Sequence, residues 1–372
     1  MFNVKLETSC AELLTQLGVV SRVASTRSAV QALSGVQLSA QSGAAELRAT
    51  DMEVGLRVPL PATVEREGTV VLPARLLLEI ARSLPGETAA IELRPAEQDV
   101  EIVSAAATFH IRTLRADDFP PLPEPGGDTV VSVPAAAFVE TINRVARSAS
   151  RDETRPILTG ILVSASGSEL RMVATDSYRL SVKETQLETP LDGDFEANVP
   201  ARALQELARI AQAADADALQ VSVSSNQIVF EVGGNVLSSR LIDGQFPNYR
   251  QLLPDAYEHE LTLASGELSE VVRRISLMAQ RNAPLRLHFT EGELTVSAQT
   301  PDVGEAREQL PVPFVGEPFE IGFNPEFLRD GLDSAEGDDL LLKLISPLRP
   351  GLIESADGSG FLYLIMPIRL NV

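Results

Sequence analysis

The 372-residue sequence contains no tryptophan, only 5% aromatic residues, one cysteine and three histidines. Each scarcity excludes something. With so few rings, the cores must be built from aliphatic side chains, and 44% hydrophobic residues suffice for ordinary globular domains. The lone Cys10 forms no intrachain disulfide and no cysteine metal cluster, and it reads as a buried, inert thiol. No run of about twenty apolar residues occurs, so no membrane span is expected. The opening MFNVKLETSC lacks the basic and apolar regions of a secretory leader, and with the cysteine count this predicts a cytoplasmic protein. Lysine is scarce as well. Only Lys5, Lys183 and Lys343 occur, so arginine supplies 28 of 31 basic residues, a bias read as genomic composition.

Catalytic chemistry is thinly provided. His110 and His288 fall in strand-like runs and His259 beside a linker, which reads as structural. There is no GxxxxGK phosphate loop, and Gly358-Ser359-Gly360 is a lone glycine pair in a turn. The acidic stretch Asp330 to Asp339 lacks calcium-loop spacing and reads as a solvated loop. No cofactor or metal is expected. The net charge of −21 is the wrong sign for nucleic-acid binding by bulk attraction.

What the chain does have is repetition. Leu170 to Val182 reads LRMVATDSYRLSV, an alternating strand broken by a Thr-Asp-Ser turn. Its relatives are LRATDMEVGLRV from Leu47 and LTVSAQTPDVGEARE from Leu294. The marker aspartates Asp51, Asp176 and Asp302 stand 125 and 126 residues apart, a period the size of a small domain. They read as turn formers rather than as a carboxylate cluster. Other signals keep the spacing: Leu72-Pro73-Ala74-Arg75 and Val199-Pro200-Ala201-Arg202 open helices, as does Phe323-Asn324-Pro325. Phe119-Pro120 and Phe246-Pro247 close repeats. Helices are predicted over about 9–23, 73–84, 134–150, 200–211, 266–281 and 325–335, with strands between, beginning at Phe2 to Leu6. Three α+β domains follow, over 1–126, 127–254 and 255–372, each with two helices and mostly antiparallel strands.

The six helical segments together carry +4 in this acidic chain, so basic charge is concentrated on helices. Helices pack about 8–10 Å apart, so a ring of six leaves a hole of roughly 10 Å and a ring of twelve roughly 28 Å. A duplex about 20 Å across passes only the larger. A three-repeat chain surrounding DNA must therefore pair head to tail, first repeat against the partner's third.

Three in-order motifs carry a resemblance over the whole chain: ATDSYRL at 174–180, RLIDGQFPNYR at 240–250 followed by Leu253-Pro254, and MPIRL at 366–370. In these the sequence resembles the bacterial sliding clamps, the beta subunits of DNA polymerase III. The resemblance implies an α+β fold of three repeated clamp domains, each with two inner helices and outer antiparallel sheets, closing into a head-to-tail dimeric ring. It implies a non-catalytic homodimer that encircles double-stranded DNA without sequence preference and tethers the replicative polymerase alpha subunit. It also implies a clamp loader complex, and further polymerases and repair proteins that dock through short peptides. By motif match the peptide pocket would use Leu158, Thr175, Ser177, Tyr178, Arg179, Leu180, Pro247, Leu252, Leu348, Met366, Pro367, Ile368 and Arg369. Arg179 and Arg369 would orient carbonyls or a carboxylate at its rim. Ser177-Tyr178 departs from the family's Gly-His, and Gln251 stands where an arginine is common. The first repeat fits the family least well, reading Arg27 to Leu33 where a proline-rich segment is frequent. Arg27, Arg75, Arg147, Arg151 and Arg202 are the candidates for DNA contact. Phe109 and Ile111 against Ile275 and Leu277 are the candidates for the dimer contact, and the same four fit domain cores equally well.

Two rival readings stand beside this one. The first is an acidic, three-repeat peptide-binding scaffold without DNA. The second is a hydrolase with its site between repeats, against which the paucity of histidine counts.

Overall fold

The structure, a computed structural model, describes residues 3–280 and 283–370. Phe2 of the expected first strand and Arg281 of the helical charge count lie outside the described residues.

The first repeat runs β1 (Lys5–Ser9), α1 (Cys10–Val20), β2 (Gly35–Gln41), β3 (Ala44–Thr50), β4 (Val54–Leu60), β5 (Ala62–Arg66), β6 (Gly68–Pro73), α2 (Ala74–Ser83), β7 (Thr88–Arg94), β8 (Asp99–Ser104) and β9 (Ala107–Arg112). The second runs β10 (Thr129–Pro134), α3 (Ala135–Val145), β11 (Gly160–Ser166), β12 (Glu169–Thr175), β13 (Arg179–Gln186), β14 (Phe195–Pro200), α4 (Ala201–Ala214), β15 (Ala218–Val223), β16 (Gln227–Val232) and β17 (Asn235–Arg240). The third runs β18 (His259–Ala264), α5 (Ser265–Ile275), β19 (Leu285–Thr290), β20 (Glu293–Thr300), β21 (Gly304–Pro311), β22 (Phe319–Phe323), α6 (Pro325–Ser334), β23 (Asp339–Leu344), β24 (Gly351–Ser355) and β25 (Phe361–Ile365). The plan is the same three times, with β5 the one addition.

The helices form where apolar residues recur at three- and four-residue spacing. Leu268, Val271, Val272 and Ile275 bury one side of α5, and Ala74, Leu77, Ile80 and Ala81 one side of α2. Pro73, Pro134 and Pro200 end the strands that lead into α2, α3 and α4. Only Pro325 lies inside its helix, where Asn324 caps α6 by accepting from the Glu326 and Phe327 N–H groups at 2.9 and 3.1 Å. The predicted first helix is shorter than its periodicity, stopping at Val20. The predicted 134–150 helix stops at Val145 and tightens into a 3₁₀ turn over Ala146–Ser148, where the buried Ser148 hydroxyl meets that of Ser181 at 2.6 Å. In the third repeat alternation marks Leu261–Leu263, Leu285–Phe289, Leu294–Ser297 and the strand from Phe361, but not β21, β22, β23 or β24. β21 is a charged edge strand, GEAREQLP, with little alternation to detect.

Two compact units result: residues up to Ala135 with Arg209–Leu241, and Ala136–Ala208 with the chain from Ile242 onward. The second repeat contributes one sheet to each, β10 and β15–β17 to the first and β11–β14 to the second. In the first unit β17 pairs antiparallel with β4, Leu237 opposite Leu56, so two four-stranded sheets become one of eight. In the second unit β13 pairs antiparallel with β25, Leu180 opposite Leu364, to the same effect. The Arg240 N–H reaches the Glu53 carbonyl at 2.9 Å and the Met366 N–H the Tyr178 carbonyl at 2.8 Å, so the two seams end alike.

The repeat marker shifts on inspection. The Thr50 and Thr175 hydroxyls close their turns onto the carbonyls of Val54 and Arg179 at 2.8 and 2.6 Å. Asp51 and Asp176 each accept two backbone N–H groups in those turns. In the third repeat the equivalent threonine is Thr300, spaced evenly with the others, and its hydroxyl bonds the Met278 carbonyl at 2.6 Å instead. Asp302, with φ +63°, thus corresponds to Ser177 (φ +79°) rather than to Asp176.

In the third repeat Phe289, Phe314, Phe323 and Tyr363 are fully buried. Gly331 of α6 lies directly on Tyr363, whose hydroxyl donates to the Phe327 carbonyl at 2.7 Å. A Cβ at residue 331 would stand 2.5 Å from the ring. Helix propensity favours alanine there by ~1 kcal/mol, but a buried ring that cannot move costs more, so Gly331→Ala should lower stability by about 1–2 kcal/mol. Urea denaturation measures it; equal or higher stability would show that the helix can shift away.

Candidate functional site

The segment 175–180 joins β12 to β13 in the second unit. Its turn is closed by Thr175 and Asp176, and Ser177 adopts φ +79°, a conformation that favours glycine. Ser177 and Tyr178 are exposed, Tyr178 at 61%, while Arg179, Leu180 and Ser181 are all buried, the start of β13 being covered on both faces. Pairing with β25 brings Met366 beside Tyr178. The Tyr178 ring stacks on Phe327 of α6 at 6.4 Å, and Arg155 donates to the Ser177 hydroxyl at 3.0 Å.

Arg179 is not at a rim. It is 8% exposed, and its guanidinium is held on three edges. Nε donates to Asp176 Oδ2 at 3.1 Å, Nη1 to Asp330 Oδ2 at 2.6 Å and Nη2 to the Arg147 carbonyl at 2.5 Å. The ring of Phe327 lies 4.3 Å beneath it. Burial works against its charge, but Tyr363, Asp330 and Asp176 more than offset this and raise its pKa, so it stays protonated. The Arg147 carbonyl is free to accept because α3 has already ended at Val145. Arg147 itself bonds Asp333 at 2.9 Å and Asp330 at 3.5 Å.

A second cluster continues this one. Glu336 receives Arg144 at 2.6 Å and the buried Lys183 at 3.2 Å; Lys183 also donates to the Ser359 carbonyl at 2.5 Å. Burial pushes the Glu336 carboxyl up, and Lys183 and Arg144 pull it further down, to below its ordinary value.

Of the expected pocket residues, Ser177, Tyr178, Pro247, Leu252, Leu348, Met366 and Arg369 are exposed, and Pro367 and Ile368 half-buried. Leu158, Thr175, Arg179 and Leu180 are buried beneath the surface. Leu180 packs with Phe246, Tyr249 and Leu364. Leu252 ends a 3₁₀ turn over Tyr249–Leu252, and Leu348 sits in the loop between β23 and β24. Ile368 bridges to Gly322, so the MPIRL segment is anchored to β22. Phe327 and Arg155 are not among the expected residues, and Asp330, expected in a solvated loop, lies within α6 with its side chain 16% exposed. The signal available for Phe327 is a ring just after Asn324-Pro325, since rings are rare in this sequence.

Other expected residues are scattered. Arg75 and Arg202 are the second residues of α2 and α4; both are exposed, and Arg75 pairs with Glu79 at 3.1 Å. Arg27 and Arg151 are exposed in loops after α1 and α3. Ile111 and Ile275 are buried in their own domains, 2% and 4% exposed, which removes them as surface contacts. Phe109 is half-buried on β9, and Leu277 is 73% exposed. The histidines are apart: His110 bonds Arg94 at 2.8 Å, His259 stacks on Phe319 at 5.3 Å, and His288 lies within β19. Among the described residues no group of three or more metal-binding side chains stands together.

The Glu336 cluster sets a pH dependence. A carboxyl held below its ordinary 4.5 contributes stability above that value and loses it as pH falls through the lower folded-state value. Glu336→Gln should therefore cost about 1–2 kcal/mol at pH 7, with the gap to wild type narrowing below about pH 4.5. Urea denaturation across that range decides it, and a gap constant with pH would assign the loss to something other than charge.

Comparison with known proteins matches this architecture along its length. Family models of the DNA polymerase III beta subunit match in order: the N-terminal domain over residues 4–123, the central domain over 132–248 and the C-terminal domain over 250–369. The beta sliding clamp of Streptomyces coelicolor is 33% identical over 350 residues, covering 91% of this chain and 92% of the relative. That of Synechocystis is 32% identical over 389 residues, covering 99% and 100%. The crystal structure of the DNA polymerase sliding clamp from Bacillus subtilis superposes with a TM-score of 0.91 at 27% identity, covering 99% of this chain and all of that one. With three matched domains in order and a third of its residues shared over nearly its full length, the chain belongs to the DNA polymerase III beta subunit family, the beta sliding clamps.

Proposed function

We propose that this chain is the processivity subunit of a replicative polymerase: a cytoplasmic homodimer that closes head to tail around duplex DNA, performs no chemistry of its own, and tethers the polymerase alpha subunit. A clamp loader opens the ring, and further polymerases and repair proteins dock through short peptides. The domain limits that go with this reading lie at 126/127 and 254/255, in the connectors.

The observation that carries the reading is the series of strand seams. β9, β17 and β25 hold the same place in their repeats, as do β4, β13 and β21. Within the chain β17 closes on β4 and β25 on β13. That leaves β9 at one sheet edge and β21 at another, each with a row of unpaired backbone groups. The series is completed by β9 of one protomer against β21 of the next, with Phe109 and Leu277 the surface contacts available there. A head-to-tail contact used twice closes a dimer of six domains.

The DNA reading rests on where arginine sits. A cation in the first turn of a helix faces the positive end of its dipole, so Arg75 and Arg202 gain nothing from it, although Arg75 also pairs with Glu79 within α2. Their recurrence in two repeats fits loose, sequence-blind attraction to phosphate, joined by Arg27 and Arg151. Arg147 contributes only beyond its bonds to Asp330 and Asp333. Topological closure also removes the conflict with a net charge of −21, since a ring needs little affinity to stay on DNA.

The peptide site fits the surface around Tyr178 and Met366, where Pro247, Leu252 and Leu348 are also exposed: adaptable apolar side chains with few charges.

Loaded protein should stay on nicked circular DNA during gel filtration and leave within minutes of linearisation; equal retention on both forms sinks the ring and favours a scaffold without DNA. Leu348→Ala with Met366→Ala should weaken a labelled polymerase-derived peptide at least about tenfold with the dimer mass unchanged. Unaltered peptide affinity would move the pocket elsewhere.

A further inference from the structure

We propose that Asp330, a residue outside the pocket surface, is the positioning residue that holds the pocket's aromatic wall in its binding shape; the inference rests on the peptide-site reading above. The side chain of Asp330 is 16% exposed, and it faces Arg179 rather than the surface at Tyr178. It acts through the guanidinium. Phe327 and Asp330 are three residues apart on α6 and so share one side of the helix. The cation of Arg179 fits both at once, its edge against the Asp330 carboxylate at 2.6 Å and its flat face 4.3 Å over the Phe327 ring. The other edges are fixed by Asp176 and the Arg147 carbonyl.

The same groups set the surface above. Asp176, which anchors Arg179 Nε through one oxygen, accepts the Tyr178 and Arg179 N–H groups with the other and so fixes the turn that projects Tyr178. The Tyr178 ring stacks on Phe327, and the Tyr178 carbonyl holds Met366. A continuous chain thus runs from Asp330 through Arg179 to Phe327, Tyr178 and Met366. The helix cannot drift to compensate, because Gly331 lies against the buried Tyr363 ring and Tyr363 holds the Phe327 carbonyl. Removing the Asp330 charge leaves a buried guanidinium short of one counter-ion. It then tilts toward Asp176 or solvent and no longer caps Phe327, and the wall of Tyr178 and Phe327 loosens.

The test uses the full-length dimer and a fluorescein-labelled peptide carrying the clamp-binding segment of a bacterial replicative polymerase, read by anisotropy. Asp330→Asn, nearly isosteric, should weaken peptide binding about tenfold, mainly through faster dissociation, while dimer mass and retention on circular DNA stay at wild-type level. In an Arg179→Gln background the same change should add less than about twofold, because the group it acts through is gone. Peptide binding by Asp330→Asn within twofold of wild type, or a full tenfold effect in the Arg179→Gln background, overturns the proposal. Parallel loss of dimer, DNA retention and peptide would mark Asp330 as a residue of general stability and overturn it too. If Asp330→Asn does not fold, Asp330→Glu carries the same measurement, since the added methylene displaces the carboxylate without removing it. A wild-type protein that does not bind the peptide refutes the pocket reading itself, an outcome distinct from these.

Discussion

An exposed sheet edge is a row of N–H and C=O groups that must find partners, and this requirement organises the molecule. The second and third repeats each present two four-stranded sheets with open edges, and the first a four-stranded one and, with β5 added, a five-stranded one. Along the chain β17 closes on β4 and β25 on β13, in the same antiparallel sense and with the same terminal hydrogen bond. Non-local backbone pairing of this kind ties each neighbouring repeat to the next without any special side chain. It also explains why a sequence so poor in aromatics makes a stable architecture: long ladders of main-chain bonds lie over aliphatic cores. Among the strands that end their sheets, β9 and β21 are the two that the dimer proposed above would close.

The two internal seams share a backbone but differ in what covers it. In the first, Gly55 leaves no room for a side chain, because Leu122 of the following connector and Ser238 lie within 3 Å of where a Cβ would stand. In the second the equivalent position is Leu180, packed under Phe246 and Tyr249, and the residue before it is the buried Arg179 with its three anchors. One seam is therefore plugged by its own connector. The other carries an ion network, with exposed Tyr178 and Met366 side by side at its end. A repeated fold gains a specialised site by changing side chains at one junction while the ladder stays the same. Because Arg179 is fully engaged, it adds no free charge to the surface at Tyr178.

Much of this was legible in order and spacing. Alternation and turn chemistry mark strands, proline marks helix starts, and the spacing of Asp51, Asp176 and Asp302 announces a repeat. The third repeat was read least well. β21 is an edge strand rich in charge, so it lacks the apolar alternation that reveals a strand, and β24 is only five residues long. Helix ends failed where a tertiary bond, such as Ser148 to Ser181, made the chain tighten early.

The sequence by itself determined the threefold plan, the aliphatic cores and the family, since periodicity and motif order are properties of the chain and survive any arrangement in space. Tertiary structure alone decided which arginines are available. Arg179, a rim residue by motif, is sealed among Asp176, Asp330, Phe327 and the Arg147 carbonyl, and Ile111 and Ile275 are enclosed in cores. The reason is physical. Burial and charge pairing are relations between residues distant along the chain, 151 positions apart for Arg179 and Asp330, and no local pattern encodes which distant carboxylate a guanidinium will meet.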